Sequence, residues 1–116
     1  MRRIIAAFFN SMSGLKFGLH HEAALREEMI LLAISLPLAP MITLSPWKLA
    51  ALWGSLLLLL AVELLNTGIE KVADRVTRDN DGLVKIAKDC GSAAVLAAIL
   101  IAAMVWGIAV WERLLV

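Results

Sequence analysis

From Cys90 to Trp111 the chain runs for 22 residues without a charged side chain, and from Leu49 to Val62 it does so for 14. A hydrocarbon layer offers backbone N–H and C=O groups no water to bond to. Such runs are stable there only as helices that close their own hydrogen bonds. About 20 apolar residues cross the roughly 30 Å of a bilayer core. A third uncharged run, Met29 to Trp47, is 19 residues long and carries Pro37 and Pro40, expected to kink the helix or end it early. With 61% hydrophobic residues and a mean hydropathy of +0.85, an ordinary small soluble domain is excluded.

The expectation is an all-α membrane protein forming a single domain over residues 1–116, with membrane-spanning helices at about 24–45, 47–72 and 90–113. The second helix is expected to run on past the bilayer edge to about Val76, with Arg78 to Gly82 a polar turn and a helix restarting at Leu83 ahead of the third span. Ahead of them, Ile4, Ile5, Phe8, Met12, Leu15 and Leu19 recur at three- and four-residue steps. This predicts an amphipathic helix at about 2–19 that lies in the membrane surface or packs on the core. Trp47, Trp106 and Trp111 suit the membrane interfaces. Gly91-Ser92-Ala93-Ala94 opens the last span with small side chains that let a neighbouring helix come close.

Net charge is +1, and no basic-aromatic cluster points to nucleic acid. The basic residues inform by position. Arg2, Arg3, Lys16 and Arg26 precede the first span, and Lys71, Arg75, Arg78, Lys85 and Lys88 lie between the second and third. Only Lys48 and Arg113 fall on the other side. The positive-inside rule then puts the N-terminus in the cytoplasm and the C-terminus outside. A single cysteine, Cys90, excludes an intrachain disulfide.

Against this background Glu63-Leu-Leu-Asn66-Thr-Gly-Ile-Glu70-Lys-Val-Ala-Asp74 stands out. Steps of three and four place Glu63, Asn66, Glu70 and Asp74 on one helix face, directly after an uncharged run. A carboxylate at that depth costs roughly 2 kcal/mol or more unless paired or protonated, and marks a functional site by default. A structural glutamate bonded to a neighbouring helix is the alternative. Glu22 and Glu28 precede the first span at the same depth, and Lys85, Lys88 and Asp89 open the third. Converging carboxylates without a thiol or histidine set suit Mg²⁺, usually held by one or two carboxylates plus substrate phosphates. Lys88 adds a positive charge and Asn66 a neutral hydrogen-bonding group, so the parts required for phosphoryl transfer are present. No GxxxxGK[ST] or GxGxxG occurs. The plainer readings take Lys71, Arg75 and Arg78 as headgroup anchors, His20 and His21 as interfacial, and Glu27 and Asp81 as solvated.

The Glu63-to-Arg75 stretch, with Ala87-Lys88-Asp89-x-Gly91-Ser92-Ala93-Ala94-Val95 and Glu22-Ala-Ala-Leu-Arg26-Glu-Glu28, resembles the signature of the small bacterial membrane diacylglycerol kinases. The resemblance covers nearly the whole chain. It implies a homotrimer in the inner membrane, with active sites between subunits, where MgATP phosphorylates diacylglycerol to phosphatidic acid in phospholipid metabolism. It implies Glu63 as catalytic base with Asn66 beside it, and Glu22 and Glu70 as ligands of Mg²⁺. Lys88 would neutralise phosphate and Asp89 position the nucleotide, with Arg3 and Asn10 near it. Arg26, Glu28 and Ser92 would border the lipid headgroup. Asp79-Asn80-Asp81-Gly82-Leu83-Val84 departs from the family, so no adenine or ribose contacts carry over there. A close branch phosphorylates undecaprenol; the segment around Arg26 resembles the diacylglycerol branch more. Outside the family, a small transporter lined by Glu63, Glu70 and Asp74, or a non-enzymatic scaffold, are the competing classes.

Overall fold

The computed structural model describes residues 1–116, all but the turns in four helices: α1 (Arg2–His21), α2 (Ala23–Ile42), α3 (Pro46–Val76) and α4 (Gly82–Leu115). No strand is present. At 1.5 Å per residue the 31 residues of α3 and 34 of α4 extend about 46 and 51 Å, well beyond a hydrocarbon core. Both are long and apolar enough to cross a membrane.

α3 is the central helix. It packs along α4 on one side and α2 on the other, while α2 and α4 scarcely meet. Only 14 of 116 residues are buried, so the apolar side chains mostly face outward, as in a protein solvated by lipid or by further copies.

Each helix end has a local cause. The turn between α1 and α2 is a single extended residue, Glu22. The close approach there depends on Gly18, where any Cβ would strike the Leu25 side chain. Arg26 donates from Nη1 to the carbonyls of Leu19 (3.1 Å) and His20 (3.3 Å), satisfying acceptors that the end of α1 leaves open. Pro46 starts α3 in the first helical turn, where its missing N–H costs nothing. Asp81 caps α4, its Oδ1 accepting from the backbone N–H groups of Leu83 and Val84 at 3.0 Å. It is exposed, as a solvated residue would be, and it also fixes where α4 begins.

One boundary differs from expectation. α2 ends at Ile42, so its uncharged helical part covers 14 residues, from Met29 to Ile42, and Thr43, Leu44 and Ser45 are non-helical. Pro37 and Pro40 sit inside the helix without breaking it. α4 starts at Gly82, within a residue of the restart expected at Leu83, and its first turns carry charges as far as Asp89 ahead of the uncharged run.

Two indoles tie the bundle together. Trp53 Nε1 donates to the Ser35 carbonyl of α2 at 3.0 Å, and Trp106 Nε1 to the Leu52 carbonyl of α3 at 3.0 Å. Trp106 therefore turns into the bundle, whereas Trp47 is 86% exposed.

Candidate functional site

The polar end of the bundle lies where α3 outruns its apolar length. Four contacts fix the register of α4 on α3: Lys88 with Asp74, Gly91 with Asn66, Trp106 with Leu52, and Lys48 with Glu112. On the other flank Lys71 meets Glu22 and Trp53 meets Ser35, which sets α2. This antiparallel arrangement brings the acidic residues of three sequence segments to one level.

Glu63 is half-buried there, close enough to Glu70 and Glu22 to be repelled by both; Glu28 is in turn repelled by Glu63. Asn66 is buried. Its Nδ2 donates to Glu70 Oε1 at 3.4 Å, and its Oδ1 has no partner. Glu28 Oε2 is likewise buried without a partner. Two orphaned oxygens beside a half-buried carboxylate cost free energy unless something outside the chain bonds to them.

Cations are sparse at this level. Lys71 Nζ lies 3.7 Å from Glu22 Oε1 and 5.4 Å over the Phe17 ring, which stacks on His21. It is engaged within the chain and so is more than a headgroup anchor. Lys88 Nζ donates to Asp74 Oδ1 at 2.9 Å, bridging α4 to α3 one turn beyond Glu70. Lys85 pairs with Asp89 at 2.6 Å along α4, both exposed.

No group of three or more His, Cys, Asp or Glu converges into a cage. The donor set is instead one in which Glu22, Glu28, Glu63 and Glu70 share a neighbourhood with a single weakly placed lysine. Carboxylates in excess over cations are the donor type that a hard divalent ion takes together with substrate phosphates.

Of the residues singled out in the sequence, the fold brings together Glu22, Glu28, Glu63, Asn66 and Glu70, with Lys88 at the edge. It does not bring in Arg3 and Asn10, which are exposed on the outer half of α1; Arg3 is roughly 27 Å of helix from the turn at Glu22. Ser92 is exposed, Asp89 is occupied by Lys85, and Arg26 holds the end of α1.

Two features were not read from the sequence. The first is that Gly91 accommodates Asn66: a Cβ at Gly91 would strike Asn66 Oδ1. Small residues at the start of α4 signalled close approach, but not to which side chain. Gly91→Ala is expected to push the carboxamide off its position, cost about 1–3 kcal/mol as overpacking, and lower turnover with the helix content unchanged. Circular dichroism with a parallel activity assay checks this. The second is the Asp74–Lys88 pair. The Lys88 hydrogen bond and charge hold the Asp74 carboxyl below its usual 3.8. A depressed carboxylate stabilises the fold above its unfolded pKa and loses that contribution as pH falls through the folded one. Thermal unfolding followed downward from pH 6 is expected to show a loss of stability below about pH 4 that Asp74→Asn lacks.

The fold and this site define a helical membrane protein whose hydrogen-bonding and acidic groups gather at one end of its apolar helices. Comparison with known proteins is consistent along the chain. The prokaryotic diacylglycerol kinase family model matches residues 9–110. A diacylglycerol kinase of Escherichia coli (strain K12) is 38% identical over 111 residues, covering 96% of this chain and 91% of the relative. One from Haemophilus influenzae is 38% identical over 97 residues (84% and 82%), and one from Helicobacter pylori (strain J99) 34% over 110 (91% and 83%). The chain belongs to the prokaryotic diacylglycerol kinase family and is a lipid kinase, which displaces the transporter and scaffold readings.

Proposed function

We propose that the protein moves the γ-phosphoryl group of ATP to the free hydroxyl of diacylglycerol, giving phosphatidic acid at the cytoplasmic face of the bacterial inner membrane. The observation that carries this is Glu63, half-buried where the apolar length of α3 ends and flanked by carboxylates from α2 and α3. A hydroxyl tethered to two acyl chains reaches the interface and no farther. A base that serves it must sit there, and the groups that meet a charged nucleotide must sit nearer water. Glu70, Asp74 and Lys88 continue from Glu63 in that direction.

Glu63 takes the hydroxyl proton as the oxygen attacks the γ-phosphorus; the bond to the bridging oxygen breaks and ADP leaves. Asn66, one turn from Glu63 on α3, and Glu28 on α2 border the lipid headgroup. Lys88 offers its ammonium to phosphate oxygens, sharing it with Asp74. Glu22 and Glu70 would hold Mg²⁺, which supplies charge neutralisation on the β- and γ-phosphates when bound.

In this reading α2, apolar from Met29 to Ile42 and extended by Thr43-Leu44-Ser45, is a third crossing. Exposed Ile4, Phe8 and Met12 lay α1 in the membrane surface. The positions of the basic residues put the N-terminus and the α3–α4 turn in the cytoplasm and the C-terminus outside. Assembly as a homotrimer would let Arg3 and Asn10, remote from their own cluster, meet the nucleotide at a neighbouring copy's site, with Asp89 and Ser92 on its rim.

The test is to supply purified protein with MgATP and either diacylglycerol or undecaprenol and identify the labelled lipid. Labelled phosphatidic acid is expected. Label on undecaprenol alone would assign the chain to the other branch.

A further inference from the structure

Of the ion pairs in the chain, one reaches the acidic cluster: Lys71 Nζ lies 3.7 Å from Glu22 Oε1. The others join Lys48 to Glu112, Lys85 to Asp89 and Lys88 to Asp74. Lys71 follows Glu70 directly and stands about 80° around α3 from Glu63, at the edge of the acidic face that looks toward α1. There its ammonium sits 5.4 Å over the Phe17 ring of α1, and Phe17 stacks on His21 with centroids 4.3 Å apart. Beside it a groove of about 530 Å³ opens between α1 and α3, with Ser11, Gly14 and Thr67 in its lining together with Lys71. The hold on Glu22 is loose, since the ion pair is long and the lysine side chain is 53% exposed. The ring and the groove give the ammonium a second place to rest, away from the Glu22 oxygen and still beside the cluster.

We propose that Lys71 is a positioning residue that acts as the resident counter-cation of the cluster: its ammonium holds Glu22, yields it to an arriving divalent ion, and so sets the ion concentration the protein needs. The proposal rests on the kinase reading above, in particular on Glu22 and Glu70 as the ion's ligands, and adds to them the residue that tunes their affinity. Two effects of the lysine oppose each other. By holding Glu22 it orders a ligand, which favours the ion; by keeping positive charge beside the same oxygen it disfavours it. A long, half-exposed contact orders Glu22 only slightly. The charge persists, because the Phe17 ring retains the ammonium when Glu22 lets go. Its repulsion acts on a divalent ion with twice the strength it has on a monovalent one. The opposing effect is the larger, and the lysine raises the concentration at which the site fills.

The test titrates Mn²⁺ alone into the purified full chain and reads the free ion from its electron paramagnetic resonance signal. The unsubstituted protein is compared with Lys71→Met, which keeps the stem on Phe17, with Lys71→Gln, and with the charge-keeping Lys71→Arg. Both neutral variants are expected to bind Mn²⁺ about fivefold or more tightly at low salt, and Lys71→Arg to stay within about twofold of the unsubstituted protein. The gap is expected to close at about 1 M salt, where the Debye length is about 3 Å. In the kinase assay the free Mg²⁺ concentration giving half-maximal rate is expected to fall in the neutral variants by the same factor, with KM for diacylglycerol unmoved. A lysine that only ties α1 to α3 would behave otherwise: its loss would lower thermal stability and leave Mn²⁺ affinity and its salt dependence as they were. Unchanged or weaker Mn²⁺ binding in both neutral variants would therefore overturn the proposal. Glu22→Gln separates the proposal from its foundation. Mn²⁺ affinity indifferent to that change would take Glu22 away from the ion and the role of Lys71 with it, whereas failure of the unsubstituted protein to phosphorylate any diacylglycerol would remove the kinase reading while the Mn²⁺ comparison still reads Lys71.

Discussion

Glu63→Gln is expected to lower kcat for diacylglycerol phosphorylation by about 10²–10⁴-fold, the range associated with a positioned general base. The substitution preserves shape and hydrogen-bonding reach and removes only the ability to accept a proton. Its effect on the fold has the opposite sign. Glu63 stands among Glu22, Glu28 and Glu70, and deleting one of several neighbouring negative charges relieves repulsion. Activity is thus expected to fall while thermal stability and oligomer size hold or improve. KM for MgATP is expected to stay within about threefold, because the base acts on the lipid hydroxyl and does not contribute to nucleotide binding in the ground state. A structural glutamate behaves otherwise: its loss would disturb assembly and activity together. Full activity in Glu63→Gln would eliminate it as the base and shift attention to Glu28, whose unpartnered oxygen lies in the same neighbourhood.

What the sequence could convey here was set by how local the responsible interaction is. Steps of three and four along α3 are enough to put Glu63, Asn66, Glu70 and Asp74 on one face, and the uncharged run before them sets their depth. Those relations lie within one helix. The partners of these residues do not. Lys88 finds Asp74 across 14 residues and a turn, a pairing decided by the register of α4 on α3. Gly91 approaches Asn66 through the same register. The role of Arg26 is hidden for a related reason: its acceptors are six and seven residues back, across the break at Glu22, outside any helical period. Trp106 looked interfacial because composition reports how far a residue lies from the charged ends and not which way it turns. The end of α3 and the start of α4 were both legible, since polarity and turn residues coincide at Arg78 to Gly82, whereas the Asp81 cap that fixes the start was not.

Lys88→Ala is expected to reduce kcat by about 10²–10³-fold, comparable to the loss of one preorganised group stabilising charge in the transition state. In the free protein the ammonium is committed to Asp74, so two roles have to be separated: a strut between α3 and α4, and a cation for phosphate. Asp74→Asn separates them. It deletes the ion pair but leaves Lys88 charged, and it frees the ammonium to turn toward the nucleotide. If the strut were the whole role, Asp74→Asn and Lys88→Ala would impair turnover alike. If the cation matters, Asp74→Asn keeps turnover near that of the unsubstituted protein and only Lys88→Ala loses it. Stability separates little between the two, because both side chains are more than a third exposed and solvent screens such a pair. Lys88→Arg is expected to recover part of the loss, since it restores charge with a planar fork in place of a compact ammonium. A charge-bearing variant that recovers nothing, beside an Asp74→Asn protein as impaired as Lys88→Ala, would assign Lys88 to the architecture of the α3–α4 contact and take it out of the chemistry.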